Sequence, residues 1–115
     1  MASTQRVVVI TGAGSGLGRA LALEYAGAGW AVVAADLAPE TAEATAEAVR
    51  QAGQPATAIA CDVRDEAQVQ AVASATVAEY GGFDCWINNA GIAAAGTVER
   101  MPIDQWQRLL DIDLI

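Results

Sequence analysis

Apolar residues come in four short uninterrupted runs: VVVI at 7–10, AVVAAD at 31–36, ATAIACD at 56–62 and FDCWIN at 83–88. Each has strand length, and none alternates apolar with polar positions. Continuous hydrophobicity is what a strand needs when helices cover both of its faces, so the runs predict parallel strands in a sheet with a layer on either side. Between them the spacing turns helical. Leu17, Leu21 and Tyr25 repeat every four residues in the first interval. PETAEATAEAVRQAG follows in the second, with Pro39 in the first turn and Gly53 as the stop. In the third, Val69, Val72, Ala73, Val77 and Tyr80 share one face, ahead of Gly81 and Gly82. Beyond the fourth run, Ile103, Trp106, Leu109, Leu110 and Leu114 trace the apolar stripe of one more helix, starting near Pro102 with Asp104 in its first turn. Strand and helix therefore alternate, which specifies an α/β domain with right-handed crossovers. No repeat or linker divides it, so residues 1–115 are expected to form a single domain.

Composition narrows the partners. The chain of 115 residues is 54% hydrophobic and carries a net charge of −8, which disfavours nucleic acid or an anionic membrane surface and favours a small molecule. No apolar run approaches the roughly 18 residues that span a bilayer, and the N-terminal residues lack the pattern of a secretory signal. A cytoplasmic location is the expectation. Cys61 and Cys85, with no His anywhere, offer neither metal-ligand spacing nor a disulfide framework, and read as reduced buried thiols.

Candidate chemistry begins at TGAGSGLGRA, which leaves the first run and opens the first helix. A glycine cluster alone can mark an ordinary turn. Here Gly12 permits a tight exit from the strand, Gly16 lets backbone approach a diphosphate, and Gly18 lets helix and strand pack closely. The free N–H groups and dipole of a helix N-terminus then suit an anion without any Lys or Arg, which reconciles nucleotide binding with an acidic protein. Asp36 closes the second run, where a carboxylate can accept from both hydroxyls of an adenosine ribose and would repel a 2′-phosphate. No cation lies in the turn before Arg19, and Leu37 follows the Asp, so NAD is expected over NADP. An N-cap for the next helix is the alternative role for Asp36.

These residues resemble one family closely, the short-chain dehydrogenases/reductases, and the match covers the whole chain. TGAGSGLG resembles that family's TGxxxGxG turn, and the second strand ending on Asp resembles its NAD-specific members. The resemblance implies a Rossmann-like doubly wound parallel sheet, incomplete here, with strand order 3-2-1-4. It implies a cofactor site of Gly12, Ser15, Gly16, Leu17, Gly18, Asp36 and Leu37, together with residues from two further segments. CDV, residues 61–63, is similar to the adenine segment, with Asp62 on the amino group and Val63 against the ring. NNAG, residues 88–91, is similar to the motif that supports the sheet and lines the cofactor, through Asn89, Ala90 and Gly91. The implied strand order also sets Cys61 and Cys85 three strand spacings apart, on the order of 14 Å, too far for a disulfide.

Asp113 falls on the apolar stripe of the last helix, at the position where the resembling family usually has a catalytic Asn that helps hold a proton-relay water. An ionised Asp accepts but cannot donate, so a relay role competes with plain variation in helix packing. The family's catalytic Ser and its YxxxK pair are expected to follow Ile115; Tyr25 and Tyr80 have no Lys beside them, since the sequence contains none. The expectation is therefore the cofactor-binding half of an NAD-dependent oxidoreductase acting on a carbonyl or secondary alcohol, inactive by itself. A stand-alone or self-associating nucleotide-binding module is the competing reading. An uncovered fourth strand and the unpartnered face from Trp106 to Leu114 lead to an expected homo-oligomer, or a partly molten or rearranged chain.

Overall fold

The computed structural model describes residues 5–89 in full and, for the strand at 97–99, the backbone. Ala90, Gly91 and the expected helix bearing Trp106 and Asp113 lie outside the described residues. The elements are β1 (Val7–Thr11), α1 (Gly16–Gly27), β2 (Ala31–Asp36), α2 (Pro39–Gln51), β3 (Ala56–Ala60), α3 (Glu66–Tyr80), β4 (Cys85–Asn88) and β5 (Thr97–Glu99). They form one sheet in the order β3-β2-β1-β4-β5, parallel throughout its first four strands, so the 3-2-1-4 arrangement is present. β5 runs antiparallel to β4, with Trp86 opposite Val98. The fourth strand is thus covered, contrary to the expectation of an open edge there.

The continuous apolar runs have a direct structural cause. Along β1, Val7 and Val9 point into a core shared with Val69, Val72 and Ala73 of α3, while Val8 and Ile10 point into a second core shared with Ala22, Ala26, Ala46 and Val49 of α1 and α2. Every residue of β1 and the first five of β2 are buried because each face has its own helical cover. β3 departs from this. As an edge strand it is only half-buried, so its apolar run overstated its coverage.

The helical faces also differ from the spacing in one place. α1 buries Gly18, Ala22 and Ala26, with Leu21 and Tyr25 packed partly against them and Leu17 exposed. Small residues let this helix lie close on the sheet, and the large ones flank the contact. α2 begins with Pro39 at its first turn, and the chain turns at Gly53 with φ of 98°, where only glycine is unstrained. α3 buries Val69, Val72, Ala73 and Thr76, leaving Val77 and Tyr80 half-buried. The Thr76 hydroxyl is satisfied by the Val72 carbonyl at 2.8 Å, which is how a polar side chain fits this face.

Cys61 and Cys85 are buried free thiols belonging to the two different cores, on opposite faces of the sheet. Among the described residues, no helix is long and apolar enough to cross a membrane.

Candidate functional site

Parallel strands all deliver their C-terminal ends to one edge of the sheet, and β1 lies where the chain order reverses, between β2 and β4. Loops leaving β1 and β4 diverge there, and the crevice they open is where ligands of doubly wound sheets bind. A crevice of about 620 Å³ occupies that position, lined by Gly12, Ser15, Asp36, Leu37, Cys61, Asp62, Val63, Arg64 and Asn89.

The turn after β1 is held from several sides. Gly12 adopts φ of 66°, and the next amide, Ala13 N–H, bonds the Ala35 carbonyl at 3.0 Å, so the turn extends along β2. From α2, the buried hydroxyl of Thr45 donates to the Ala13 carbonyl at 3.0 Å. Ser15 is the N-cap of α1: its Oγ accepts from Gly18 N–H at 3.3 Å and donates to the Gly12 carbonyl at 2.8 Å. Gly16 and Leu17 then occupy the first two helical positions, whose amides have no carbonyl within the helix to bond. Both residues are exposed, and a Cβ on Gly16 would meet nothing within 4 Å. Gly18 lies buried beneath them.

Thr11 joins this turn to β4. Its hydroxyl donates to Asn88 Oδ1 at 2.8 Å and accepts from Asn89 N–H at 3.1 Å. The Asn89 amide in turn donates toward the Gly12 carbonyl at 3.4 Å and Ser15 Oγ at 3.3 Å. The paired asparagines therefore pin the fourth strand to the glycine-rich turn through Asn88 Oδ1 and the Asn89 backbone and side-chain N–H groups.

On the β2 side, Asp36 stands half-buried at the strand end, and Leu37 beside it is 66% exposed. Oδ2 of Asp36 accepts from Ala38 N–H at 3.3 Å and from the Thr41 hydroxyl. The N-cap of α2 is Ala38, without a side-chain cap bond, so Asp36 does not fill the N-cap position.

After β3, Asp62 is fixed by its neighbours. Arg64 donates from Nε at 3.0 Å to Oδ1 and from its terminal nitrogen at 2.9 Å to Oδ2, and its backbone N–H adds a third bond at 3.0 Å. These bonds hold the Asp62 carboxyl below the usual carboxylate range. Gln68 Oε1 accepts from Asp62 N–H at 2.9 Å, while Asp65 caps α3 through Ala67 and Gln68 N–H. Val63 packs against the core under α3. Burial pushes the Cys61 thiol up to about 11, helped by the charges of Asp62 and Asp65, so the thiol in this wall is neutral at ordinary pH.

Of the site residues expected from sequence, Gly12, Ser15, Asp36, Leu37, Asp62, Val63 and Asn89 line one crevice, and Gly16, Leu17 and Gly18 form the helix start beside it. Ala90, Gly91 and Asp113 lie outside the described residues. Thr11 and Asn88, both inside the quoted motifs, went unassigned; Thr45, Thr41 and Arg64 carry no motif and reach the site only through the fold.

Residues 6–115 match the family model described as short chain dehydrogenase. D-threitol dehydrogenase of Mycolicibacterium smegmatis is 40% identical over 109 residues, covering 95% of this chain and 42% of that protein. 3beta-hydroxysteroid dehydrogenase 1 of Eggerthella lenta is 39% identical over 110 residues, again 95% of this chain and 42% of the relative. The crystal structure of NAD+-bound xylitol dehydrogenase superposes with a TM-score of 0.73 at 36% identity, over 76% of this chain and 34% of that one. The chain spans less than half the length of these relatives. Its sheet order, its glycine-rich turn and this extended match make it a member of the short-chain dehydrogenase family of oxidoreductases.

Proposed function

We propose that the crevice binds NAD(H) in preference to NADP(H), and that residues 1–115 are the cofactor-binding domain of a longer dehydrogenase/reductase. The observation that carries this reading is the crevice walled by Gly12, Ser15, Asp36, Asp62 and Val63, with the first helical turn of α1 at Gly16 and Leu17 beside it. The fit of a dinucleotide rests on these features. A Cβ at Gly18 would stand 2.0 Å from the Gly12 carbonyl, so glycine there keeps helix and turn close, while open space over Gly16 admits a diphosphate to the amides.

In this reading Gly12, Ser15, Gly16, Leu17 and Gly18 receive the diphosphate. Asp36 accepts from the adenosine ribose hydroxyls and repels a 2′-phosphate, since among the described residues the one cation lining the crevice, Arg64, is committed to Asp62. Leu37 and Val63 flank adenine, with Asp62 at its amino group. Asn89 holds the turn beside the nicotinamide side of the crevice, a role extended to Ala90 and Gly91. NAD, when bound, supplies hydride chemistry; the chain's own residues bind and orient it. The reaction assigned to the whole protein is hydride transfer between nicotinamide and a carbonyl or secondary alcohol, in a cytoplasmic homo-oligomer. Asp113 is assigned to the proton relay of that whole protein. The 115 residues alone are expected to bind without turnover.

Titration of the purified chain with NADH and NADPH, read by energy transfer from its three tryptophans, tests the reading. Saturable NADH binding with much weaker NADPH binding is expected. Equal affinity for the two would remove the role given to Asp36, and binding of neither would remove the site.

A further inference from the structure

Thr41 sits in the first turn of α2, outside every motif, and is exposed. Its hydroxyl nevertheless donates to Asp36 Oδ2, and lies 2.9 Å from the Ala38 carbonyl. Ala38 N–H ends on the same carboxylate oxygen. Two donors from the start of α2 therefore converge on Oδ2, and Oδ1 carries neither of them. A second observation bears on the same pair from the opposite direction. A Cβ on Gly14 would stand 2.4 Å from Thr41 Oγ1, 2.6 Å from Thr41 Cβ and 2.8 Å from Asp36 Oδ2. Those atoms are a β-branched side chain and a carboxylate tied to it, so neither yields without breaking the bond between them. A side chain at position 14 would thus crowd the Asp36–Thr41 pair, a constraint that the spacing of Gly12, Gly16 and Gly18 does not account for.

We propose that Thr41, seated against Gly14, is a positioning residue for cofactor specificity: it fixes the Asp36 carboxylate so that one oxygen is held by α2 and the other faces the crevice. The inference rests on the reading of Asp36 as the group that meets the adenosine ribose. A fixed carboxylate is more selective than a mobile one. Its hydrogen bonds to two ribose hydroxyls need no reorganisation, and its charge cannot swing away from a 2′-phosphate. Freed from Thr41, Asp36 can rotate toward solvent, which weakens the first effect and relieves the second.

The test compares NADH and NADPH affinities of the full chain carrying Thr41→Val, Thr41→Ser, Gly14→Ala or Asp36→Ala. Thr41→Val keeps the shape and removes the donor, and is expected to lower the NADH-over-NADPH preference roughly tenfold, the scale of one hydrogen bond to a charged group. Thr41→Ser restores the donor and should restore the preference, which a purely structural role for Thr41 would not require. Gly14→Ala crowds the pair while retaining the hydroxyl and should lower the preference too. A Thr41→Val protein with wild-type preference overturns the assignment, provided Asp36→Ala abolishes the preference. If Asp36→Ala leaves it intact, the reading of Asp36 itself falls, and this inference with it.

Discussion

Gly18 lies against the backbone of Gly12: a Cβ added to Gly18 would stand 2.0 Å from the Gly12 carbonyl oxygen, 2.8 Å from its carbon and 2.9 Å from Ala13 Cα. The same carbonyl accepts from Ser15 N–H, Ser15 Oγ and the Asn89 side chain, so it cannot move aside without undoing the turn. Ala normally stabilises a helix over Gly by about 1 kcal/mol. Here the sign reverses. Gly18→Ala is expected to destabilise the protein by about 3 kcal/mol, as overpacking against rigid backbone does, whereas Gly16→Ala should fold with unchanged or slightly raised stability and lose NADH affinity. Thermal melts of the two variants check the contrast, and a Gly18→Ala protein as stable as wild type would contradict it.

Thr11 is 1% exposed and spans β1 and β4 through Asn88 Oδ1 and Asn89 N–H. Thr11→Val fills the same volume while leaving both half-buried partners without their bond. The expected cost is about 1–3 kcal/mol, against a smaller loss for Thr11→Ser, measured by urea unfolding.

The Cys61 thiol, raised to about 11 by burial, should resist alkylation. At pH 8 its thiolate fraction is on the order of one in a thousand, and iodoacetamide labelling should rise about tenfold for each pH unit until the protein opens. The linkage has a definite sign. A thiol titrating near 11 when folded and near 9.0 when unfolded favours the folded state below pH 9.0, and that contribution is lost as pH rises from 9.0 through 11. Mass spectrometry of labelled peptides across this range measures it; rapid labelling of Cys61 at pH 8 would refute it.

Asp62 has the opposite sign. Arg64 holds its carboxyl below the ordinary range, so whatever the pair adds to stability is complete above the ordinary carboxylate pKa and disappears as pH falls through the lowered value. Arg64→Gln should return the Asp62 carboxyl toward the ordinary range in a carboxyl-detected NMR titration. Arg64 faces solvent and Asp62 is half-buried, and a pair with one partner so exposed is expected to change overall stability little.

Local rules carried much of this fold. Hydrophobic runs without alternation predicted strands covered on both faces, and β1 fits that pattern, since Val7 to Ile10 serve two cores in turn. Glycine and proline punctuation placed the ends of α2 and α3, because those residues change backbone energetics wherever they occur. The glycine-rich turn, Asp36 and Asn89 stand at strand ends, which parallel strands bring together, whereas Asp62 was singled out by the resemblance of CDV to a family segment.

Other features depended on neighbours distant in sequence. Leu17 matched the helical spacing of Leu21 and Tyr25, yet Gly18, Ala22 and Ala26 face the sheet, because close approach of α1 selects small side chains rather than large apolar ones. β3 looked as apolar as β1, but among the described residues no strand pairs beyond it, and edge position is a property of topology. The antiparallel cover of β4 by β5 likewise comes from chain return rather than from any apolar run. Thr45 on Ala13, Thr41 on Asp36 and Gly14 beneath them meet across separate elements. By itself the sequence determined β1 to β4, the three helices between them, their layering and the residues at the strand ends, since these follow from periodicity and backbone preference. Only the tertiary structure decided which side chains lock those residues in place, because hydrogen bonding and steric contact depend on distances of a few ångströms between segments that sequence spacing does not encode.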